Sequence, residues 1–213
     1  LSDASLRSSG WHVPSELRAQ LESARTEQAE LRLVARGKEL AGCLPASAPI
    51  LGMAFDIGST KIAGFLLNLE DGKPVETVSA PNPQMVHGED IMSRLAFARG
   101  GAAQEALLHD EVLGVLNELI RKACALAHQP RSHVLEVVAV GNTAMHHLFL
   151  AEPTVGLSRA PYTPATRQEE LRRAGPFGLH VAPAASIVAP PVVAAFVGSD
   201  LVAGVLSTRL HRS

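Results

Sequence analysis

The sequence predicts an α/β fold, and three observations support that class. Short apolar runs bounded by turn residues, such as residues 50–55 and 134–141, are typical of buried strands. Between them, His109–His128 carries apolar residues at the spacing of an amphipathic helix. The start of the chain has a helical and a strand-like pattern of its own. We therefore predict an α/β unit over residues 49–213, preceded by a small α+β segment over residues 1–48.

Composition and charge exclude several classes of protein. The chain has 213 residues, 46% of them hydrophobic and 19% charged, so we expect a buried core and no long disordered segment. A net charge of −2 and 4% aromatic residues provide neither a basic stripe nor a stacking platform, so we predict no nucleic-acid binding. No run approaches the roughly 18 apolar residues of a membrane span, so we predict no membrane insertion.

The cysteines and the first residues bear on the compartment and on the completeness of the chain. Cys43 and Cys124 are too few for a four-cysteine zinc or iron–sulfur site, and a disulfide between them is not expected. This usage suits a reducing cytoplasm, which we predict as the location. The first residues hold neither an initiator Met nor a signal peptide, so we expect an internal piece of a longer protein.

The segment of residues 1–48 is predicted to be the C-terminal part of a small middle or linker domain. A helix begins near Ser15, and its apolar residues share one face. Leu31–Ala35 alternates like a strand. The Pro- and Ala-rich stretch Leu44–Pro49 then predicts a linker, so we place a domain boundary between residues 48 and 49.

Three consecutive strands are predicted over residues 50–81. The first strand ends at Asp56, where a turn of small residues leads directly into the second strand. The dipeptide Asp71-Gly72 is a hairpin signal between the second strand and the third, Val75–Ala80. The chain therefore opens its α/β unit with a β-meander.

The turn after Asp56 has the residue types of a phosphate site. Gly58 allows close approach of the backbone, and Ser59 and Thr60 offer hydroxyl and N–H groups. A carboxylate at a strand end beside such a turn is able to hold Mg²⁺ whose other ligands are phosphate oxygens. An ordinary hairpin with an Asx-type turn would use the same residues, so both interpretations stay open at this point.

The polar segment that follows the meander is predicted to be a loop that opens a helix. Pro83 and Gly88 mark the loop, and Glu89 and Asp90 suit the positive end of a helix dipole. On the residues alone, a polar loop and a capped helix with a solvated face are the favoured interpretation. The amphipathic helix His109–His128 comes next and should end at the following Gln-Pro pair.

A second candidate ligand site follows the strand of residues 134–141. Strand, Gly141-Asn142-Thr143 and then an apolar helix is the strand-end geometry at which α/β folds place ligands. His146 and His147 are adjacent and make a poor metal pair, because helical metal pairs are spaced four residues apart. Here too, a helix capped by Asn142 is the alternative.

The last quarter of the chain contains no catalytic constellation. Residues 152–189 are rich in Pro, Gly and Arg, and we predict a short charged helix around Gln168–Arg173. A further helix is predicted from Ala194 onward, with small residues that permit close packing against another helix. Asp200 lies in this helix, either as one exposed turn or facing a cleft.

Four stretches resemble the reductive activators of corrinoid proteins, which are ferredoxin-linked ATPases of the actin, sugar kinase and heat-shock chaperone superfamily. The stretches are Asp56 to Thr60, Asn82 to Arg94, Val140 to Leu148 and Phe196 to Gly204. The resemblance implies the ribonuclease H-like, N-terminal half of an actin-like ATPase domain in residues 49–213. It covers about residues 30–213 but only the centre of the family's architecture. The second half of the ATPase domain and the four-cysteine ferredoxin-like domain are not in this sequence.

The family's activity is the expectation for the parent protein. Such activators use ATP to reduce the Co(II) corrinoid protein to Co(I) for methyl transfer, with electrons from a [2Fe–2S] domain. The resemblance thus implies ATP and Mg²⁺ as cofactors, a [2Fe–2S] cluster in the parent protein only, a corrinoid protein as partner and a possible homodimer. We expect the chain by itself to be inactive and to bind nucleotide weakly or not at all.

The resemblance also assigns roles to residues. Asp56 and Asp200 would be catalytic, and Asp56 would orient Mg²⁺ through phosphate or water. Nucleotide contacts would come from Gly58, Ser59, Thr60, Lys61, Gly141, Asn142, Thr143 and Gly198. A loop that faces the partner or the cleft would present Asn82, Gln84, Asp90 and Arg94.

Two alternatives to the activator remain open. A small-molecule kinase of the same superfamily would phosphorylate a sugar or acyl group, and a second phosphate turn with a substrate-binding acid in the missing C-terminal half would favour it. A non-catalytic module would use the half-fold only to dock a partner protein, and loss of Asp56 would then leave the activity of the parent unchanged.

Overall fold

The computed structural model describes residues 3–26 and 30–209, and its first part is a small α+β unit. The elements of this unit are helix α1 (Asp3–Ser8), helix α2 (Ser15–Thr26), strand β1 (Leu31–Arg36) and strand β2 (Glu39–Pro45). The two strands pair antiparallel, and apolar side chains of both helices and of β2 form a small core. The helix and strand patterns predicted here are confirmed, while the domain boundary after residue 48 stays a prediction.

A six-stranded mixed sheet forms the centre of the remaining chain. Its strands are β3 (Leu51–Ile57), β4 (Lys61–Asn68), β5 (Pro74–Pro81), β6 (Val134–Gly141), β7 (Glu170–Arg173) and β8 (Ser186–Ala189). The order across the sheet is β5-β4-β3-β6-β8-β7. The first three strands form the predicted antiparallel meander, β6 runs parallel to β3, and β8 runs parallel to β6. The α/β class predicted from the sequence is thus confirmed.

Helices cover the sheet and close the main core. They are α3 (Ile91–Ala98), α4 (Ala102–Leu126), α5 (Thr143–Leu150), α6 (Ala174–Phe177) and α7 (Ser199–Thr208). The long helix α4 packs its apolar face, including Val112, Leu116 and Ile120, into the core that it shares with β3 and β6. It begins seven residues before the predicted start, because the Ala-, Gln- and Glu-rich turn ahead of His109 favours helix.

The predicted charged helix around Gln168–Arg173 is wrong. Glu170–Arg173 is instead the edge strand β7, paired antiparallel with β8 from Glu170↔Ala189 to Arg173↔Ser186. Every residue of β8 is buried, so its backbone groups need hydrogen-bond partners, and β7 supplies them. The two strands are distant in sequence, so the local pattern of charged residues does not predict their pairing.

The last helix, unlike α4, begins later than predicted. Helix α7 starts at Ser199, because Ala194 and Val197 pair in a short backbone bridge and Gly198 is extended at the N-cap. Both cysteines are buried and free. Within the described ranges, no helix combines the length and apolar character needed to cross a bilayer.

Candidate functional site

Three chain segments meet at the carboxyl ends of β3 and β6. The two strands are parallel and in register, so Asp56 lies beside Val140 and Ile57 beside Gly141. The turn after β3 and the start of α5 therefore share one edge of the sheet. The N-terminus of α7 packs onto the same edge, which brings in Gly198 and Asp200. This is where α/β sheets place ligands.

The turn between β3 and β4 presents unused hydrogen-bond donors. It is closed by a hydrogen bond from the Gly58 N–H to the Lys61 carbonyl oxygen, 3.1 Å long. A Cβ on Gly58 would lie 2.5 Å from that oxygen, so the turn requires glycine. Over residues 3–26 and 30–209, the N–H groups of Ser59 and Thr60 have no hydrogen-bond partner, and neither do their hydroxyls. Such donors are suited to an anion.

The carbonyl groups of this turn are held from the opposite, buried side. The Asn82 side chain donates to the Gly58 carbonyl at 2.8 Å, and the Asn82 backbone N–H donates to the Thr60 carbonyl at 2.9 Å. Arg94 Nη2 donates to the Ser59 carbonyl at 2.7 Å. All three carbonyls of residues 58–60 are thus bonded toward the protein interior.

The segment Gly141–Thr143 shapes the second side of the site. Asn142 caps α5 by accepting a hydrogen bond from the Met145 N–H at 3.1 Å, as the sequence alternative anticipated. The buried Thr143 hydroxyl donates to the Ala194 carbonyl at 2.6 Å, so it anchors the loop before α7. Gly141 is buried as well, and a Cβ there would lie 2.8 Å from the Ile57 carbonyl oxygen.

Backbone contact fixes the N-terminus of α7 against this segment. A Cβ on Gly198 would lie 2.3 Å from the Gly141 carbonyl oxygen and 2.5 Å from Asn142 Cα. The buried Ser199 hydroxyl is 3.2 Å from both the N–H and the carbonyl oxygen of Gly141, and it bonds both. Sequence reasoning missed Ser199, because nothing local distinguishes this serine from an exposed one in the first turn of a helix.

Two carboxylates share the open side of the site. Partial desolvation, and then the negative charge of Asp200, raise the pKa of the exposed Asp56 carboxyl. A cation between the two carboxylates would relieve this repulsion. The described residues contain no cluster of three or more acidic, histidine or cysteine ligands. Mg²⁺ needs only one or two carboxylates when phosphate oxygens and water complete its shell, so the donor set fits Mg²⁺ with a phosphate ligand.

Lys61 adds a positive charge next to these donors. Its side chain is exposed at the start of β4, and the described part of the chain offers its ammonium no ion pair. Residues 56–61 and Asp200 therefore bring together free N–H groups, two hydroxyls, a lysine and a pair of carboxylates. This combination is suited to a phosphate chain with a divalent cation.

Comparison with known proteins identifies the family. A sequence model of the RACo middle region matches residues 51–213. The chain belongs to the RACo middle-region family. The corrinoid activation enzyme RamQ of Eubacterium limosum is 27% identical over 179 residues, which are 83% of this chain and 30% of RamQ.

A solved structure of a reductive activator has the same fold as this RACo middle region. A reductive activator for corrinoid, iron–sulfur protein superposes with a TM-score of 0.81 at 29% identity, over 94% of this chain and 33% of that one. The predicted resemblance and the actin-like, ribonuclease H-like fold class are confirmed. The chain spans about a third of the length of these relatives.

In this RACo middle region, most of the predicted loop residues are buried rather than exposed. Asn82, Gln84 and Arg94 lie inside the protein, with Gln84 Nε2 donating to the Leu108 carbonyl at 2.8 Å. Asp90 is exposed and caps α3 by accepting from the Ser93 N–H at 2.7 Å. A role of these four residues toward a partner stays a prediction, and their observed contacts are within the chain.

The paired histidines of α5 have different surroundings. His147 Nδ1 lies 2.8 Å from the Thr143 carbonyl, and its Nε2 accepts from the Ala165 N–H at 3.0 Å, so it is held as a neutral ring. His146 is 3% exposed, and neither ring nitrogen has a partner of ordinary hydrogen-bond geometry among the described residues. Desolvation, and then His147, lower the pKa of His146 to about 4, and the nearby Pro190 carbonyl offsets this only in part.

The buried His146 predicts a loss of stability in mild acid. Its folded-state pKa of about 4 lies below the value near 6.5 of an unfolded chain, so protonation favours unfolding. The His146 contribution is complete above about pH 6.5 and falls as the pH drops toward 4. Between pH 7 and pH 5 this one group should cost about 2 kcal/mol of unfolding free energy.

Urea unfolding of His146→Leu at the two pH values tests this expectation. The pH dependence of the variant should be smaller than that of the parent by roughly that amount. His180→Leu offers a control at an exposed position, and the pH dependence should change more in His146→Leu than in this control. Equal pH dependence in His146→Leu and the parent would contradict the prediction.

Proposed function

We propose that the protein containing this chain is an ATP-dependent reductive activator of a corrinoid protein, and that this chain forms one wall of its ATP site. The observation that carries the proposal is the pair of unpartnered N–H groups at Ser59 and Thr60, beside the carboxylates of Asp56 and Asp200. The names of the two relatives, one a corrinoid activation enzyme and one a reductive activator, supply the reaction class.

In this proposal each group of the turn has a separate task. The Ser59 and Thr60 N–H groups and hydroxyls donate hydrogen bonds to phosphate oxygens, and Lys61 balances their charge. Asp56 and Asp200 would hold Mg²⁺ or orient the attacking water, and bound Mg²⁺ would neutralise charge that develops on the phosphates. Gly141, Thr143 and Gly198 are buried, so they would shape the wall, while the half-buried Asn142 would line it.

The redox part of the activity would belong to the rest of the parent protein. Cys43 and Cys124 are buried, and two thiols do not complete a [2Fe–2S] ligand set. The cluster would therefore bind outside this chain, and ATP hydrolysis here would change how the activator holds the corrinoid protein as Co(II) becomes Co(I). A cytoplasmic location and a homodimer belong to the same proposal.

The test uses the full protein with its iron–sulfur cluster and a corrinoid protein in the Co(II) state. We expect Mg²⁺-dependent ATP hydrolysis and ATP-dependent formation of Co(I), followed by its absorption spectrum. ATP hydrolysis without cobalt reduction, together with phosphorylation of a small molecule, would instead indicate a kinase. Corrinoid-protein binding with no ATP binding would indicate a docking module. Either result would overturn the proposal.

A further inference from the structure

The geometry points to Arg94 as the residue that positions the phosphate-binding turn. We propose that its buried guanidinium fixes the Ser59 carbonyl, aims the neighbouring N–H groups at the ligand and places a positive charge behind the bound phosphate. This inference rests on the function proposed above and goes beyond it, because Arg94 would act through the turn without contacting nucleotide or partner.

Arg94 is the largest fully buried side chain among the described residues, with 0% of its surface exposed. Its donors reach neutral acceptors: the Ser59 carbonyl at 2.7 Å, the Gly88 carbonyl at 3.0 Å and Gln84 Oε1 at 3.3 Å. Met145 Sδ lies 3.3 Å from Nη1. No carboxylate in residues 3–26 or 30–209 forms an ion pair with it, and Asp90 and Glu111 act on it only from a greater distance.

A buried arginine such as Arg94, with no carboxylate in contact, is unusual in a protein core. Burial costs a charged group much of its hydration, and an apolar side chain of similar volume would avoid that cost. Arginine stays protonated in proteins, so its charge persists here. This charge, which no carboxylate contacts directly, lies on the buried side of the turn whose outer side presents free donors. Its potential therefore favours an anion at that outer side.

The planarity of the peptide bond connects Arg94 to those donors. In a trans peptide, the C=O of one residue and the N–H of the next point in opposite directions. Because Arg94 holds the Ser59 carbonyl inward, the Thr60 N–H faces outward. Asn82 does the same for the Gly58 carbonyl, and the Ser59 N–H faces outward as a result. Both N–H groups are the ones found without a partner.

The experiment compares two variants of the full protein with a stability control. Arg94→Met keeps much of the volume and removes the charge, whereas Arg94→Lys keeps the charge but loses the fork that bridges Ser59 and Gly88. Ile120→Ala truncates the core twelve residues beyond Leu108, the α4 residue that Gln84 contacts, or about 18 Å along the helix. The readouts are ATP affinity, adenosine affinity, the kcat of ATP hydrolysis and thermal unfolding.

We expect Arg94→Met to weaken ATP binding at least tenfold and to lower kcat about 10²-fold, with adenosine affinity unchanged. Arg94→Lys should lie between Arg94→Met and the parent. Ile120→Ala should lower thermal stability while keeping the ATP affinity. If Arg94→Met does not fold, the expected loss of ATP affinity in Arg94→Lys, with adenosine affinity retained, tests the same inference.

Two results would overturn this inference while the proposed function stands. One is unchanged ATP affinity in a folded Arg94→Met or Arg94→Lys. The other is an equal loss for ATP and adenosine, or a loss that Ile120→Ala reproduces at the same thermal stability, since either would mean a role in stability alone. Failure of the parent protein itself to bind ATP would be the distinct failure of the proposed function.

Discussion

Asp56→Asn should lower ATP hydrolysis by the full protein about 10²-fold or more, while its resistance to unfolding stays the same or rises. Asparagine keeps the size of the side chain and removes the charge that would hold Mg²⁺ or orient water. The carboxylate is exposed at the end of β3, and the part of the chain that the structure describes gives it no hydrogen bond or ion pair. Its loss should therefore leave the fold intact.

The sign of the stability effect follows from the pKa of Asp56. Desolvation and Asp200 raise that pKa in the folded protein, so folding disfavours the ionised carboxyl at neutral pH. Stability from this group accordingly increases as the pH falls through its folded pKa, and asparagine removes the penalty at every pH. A gain in thermal stability together with a loss of activity would show that the carboxylate is kept for function.

Asp71→Asn is the matched control for this prediction. Asp71 is another exposed aspartate, in the hairpin between β4 and β5, where it pairs with Lys73 at 3.1 Å. Its replacement should leave ATP hydrolysis unchanged. An Asp56→Asn protein that hydrolyses ATP at the parent rate would refute the role of Asp56 and favour the docking module.

Gly198→Ala should destabilise the protein by about 3 kcal/mol, the upper part of the range for overpacking. The new methyl group would lie 2.3 Å from the Gly141 carbonyl oxygen and 2.5 Å from Asn142 Cα. Both neighbours are backbone atoms of β6 and of the α5 cap, so no side-chain rotation relieves the clash. The start of α7 would have to move away, which would also break the two Ser199 hydrogen bonds to Gly141.

The same helix provides the control for Gly198. Gly204 lies in the middle of α7, and nothing stands within 4 Å of a Cβ added there. Gly204→Ala should be neutral or stabilise the protein by up to about 1 kcal/mol through helix propensity. Urea unfolding of both variants measures the difference. Equal stabilities would mean that α7 does not rest on Gly141 in solution.

Strands β3 to β6 and the turn at Asp56 were predictable, because their signals are local. The apolar run of β3, the acid that ends it and the small residues of the turn lie within ten residues. The cap of α5 by Asn142 is local as well. Patterns of this kind predict the local secondary structure directly. The confirmed meander and the β6–α5 unit followed from them.

Contacts between distant segments were not predictable from the sequence. The local sequence predicts a helix at strand β7. The strand forms because it pairs with β8, which begins thirteen residues beyond its last residue, and pairing outweighs local propensity. Arg94 has the charge of a surface residue, and its burial depends on carbonyls of residues 59 and 88 that only the fold brings near. Ser199 is a similar case, since its partner is Gly141.

The arrangement of the site along the chain sets the order of its assembly during synthesis. The turn of residues 58–60 is made early, but the α7 residues that complete the edge, Gly198 to Asp200, follow about 140 residues later. At roughly 5–20 residues per second, the ribosome needs about 7–28 s to cover that distance. Helix α4 packs on β4 and β5 well before that point, so the edge of the site, and not the face of the meander, is completed last. On a nascent chain, this wall of the proposed nucleotide site would be complete only when α7 docks.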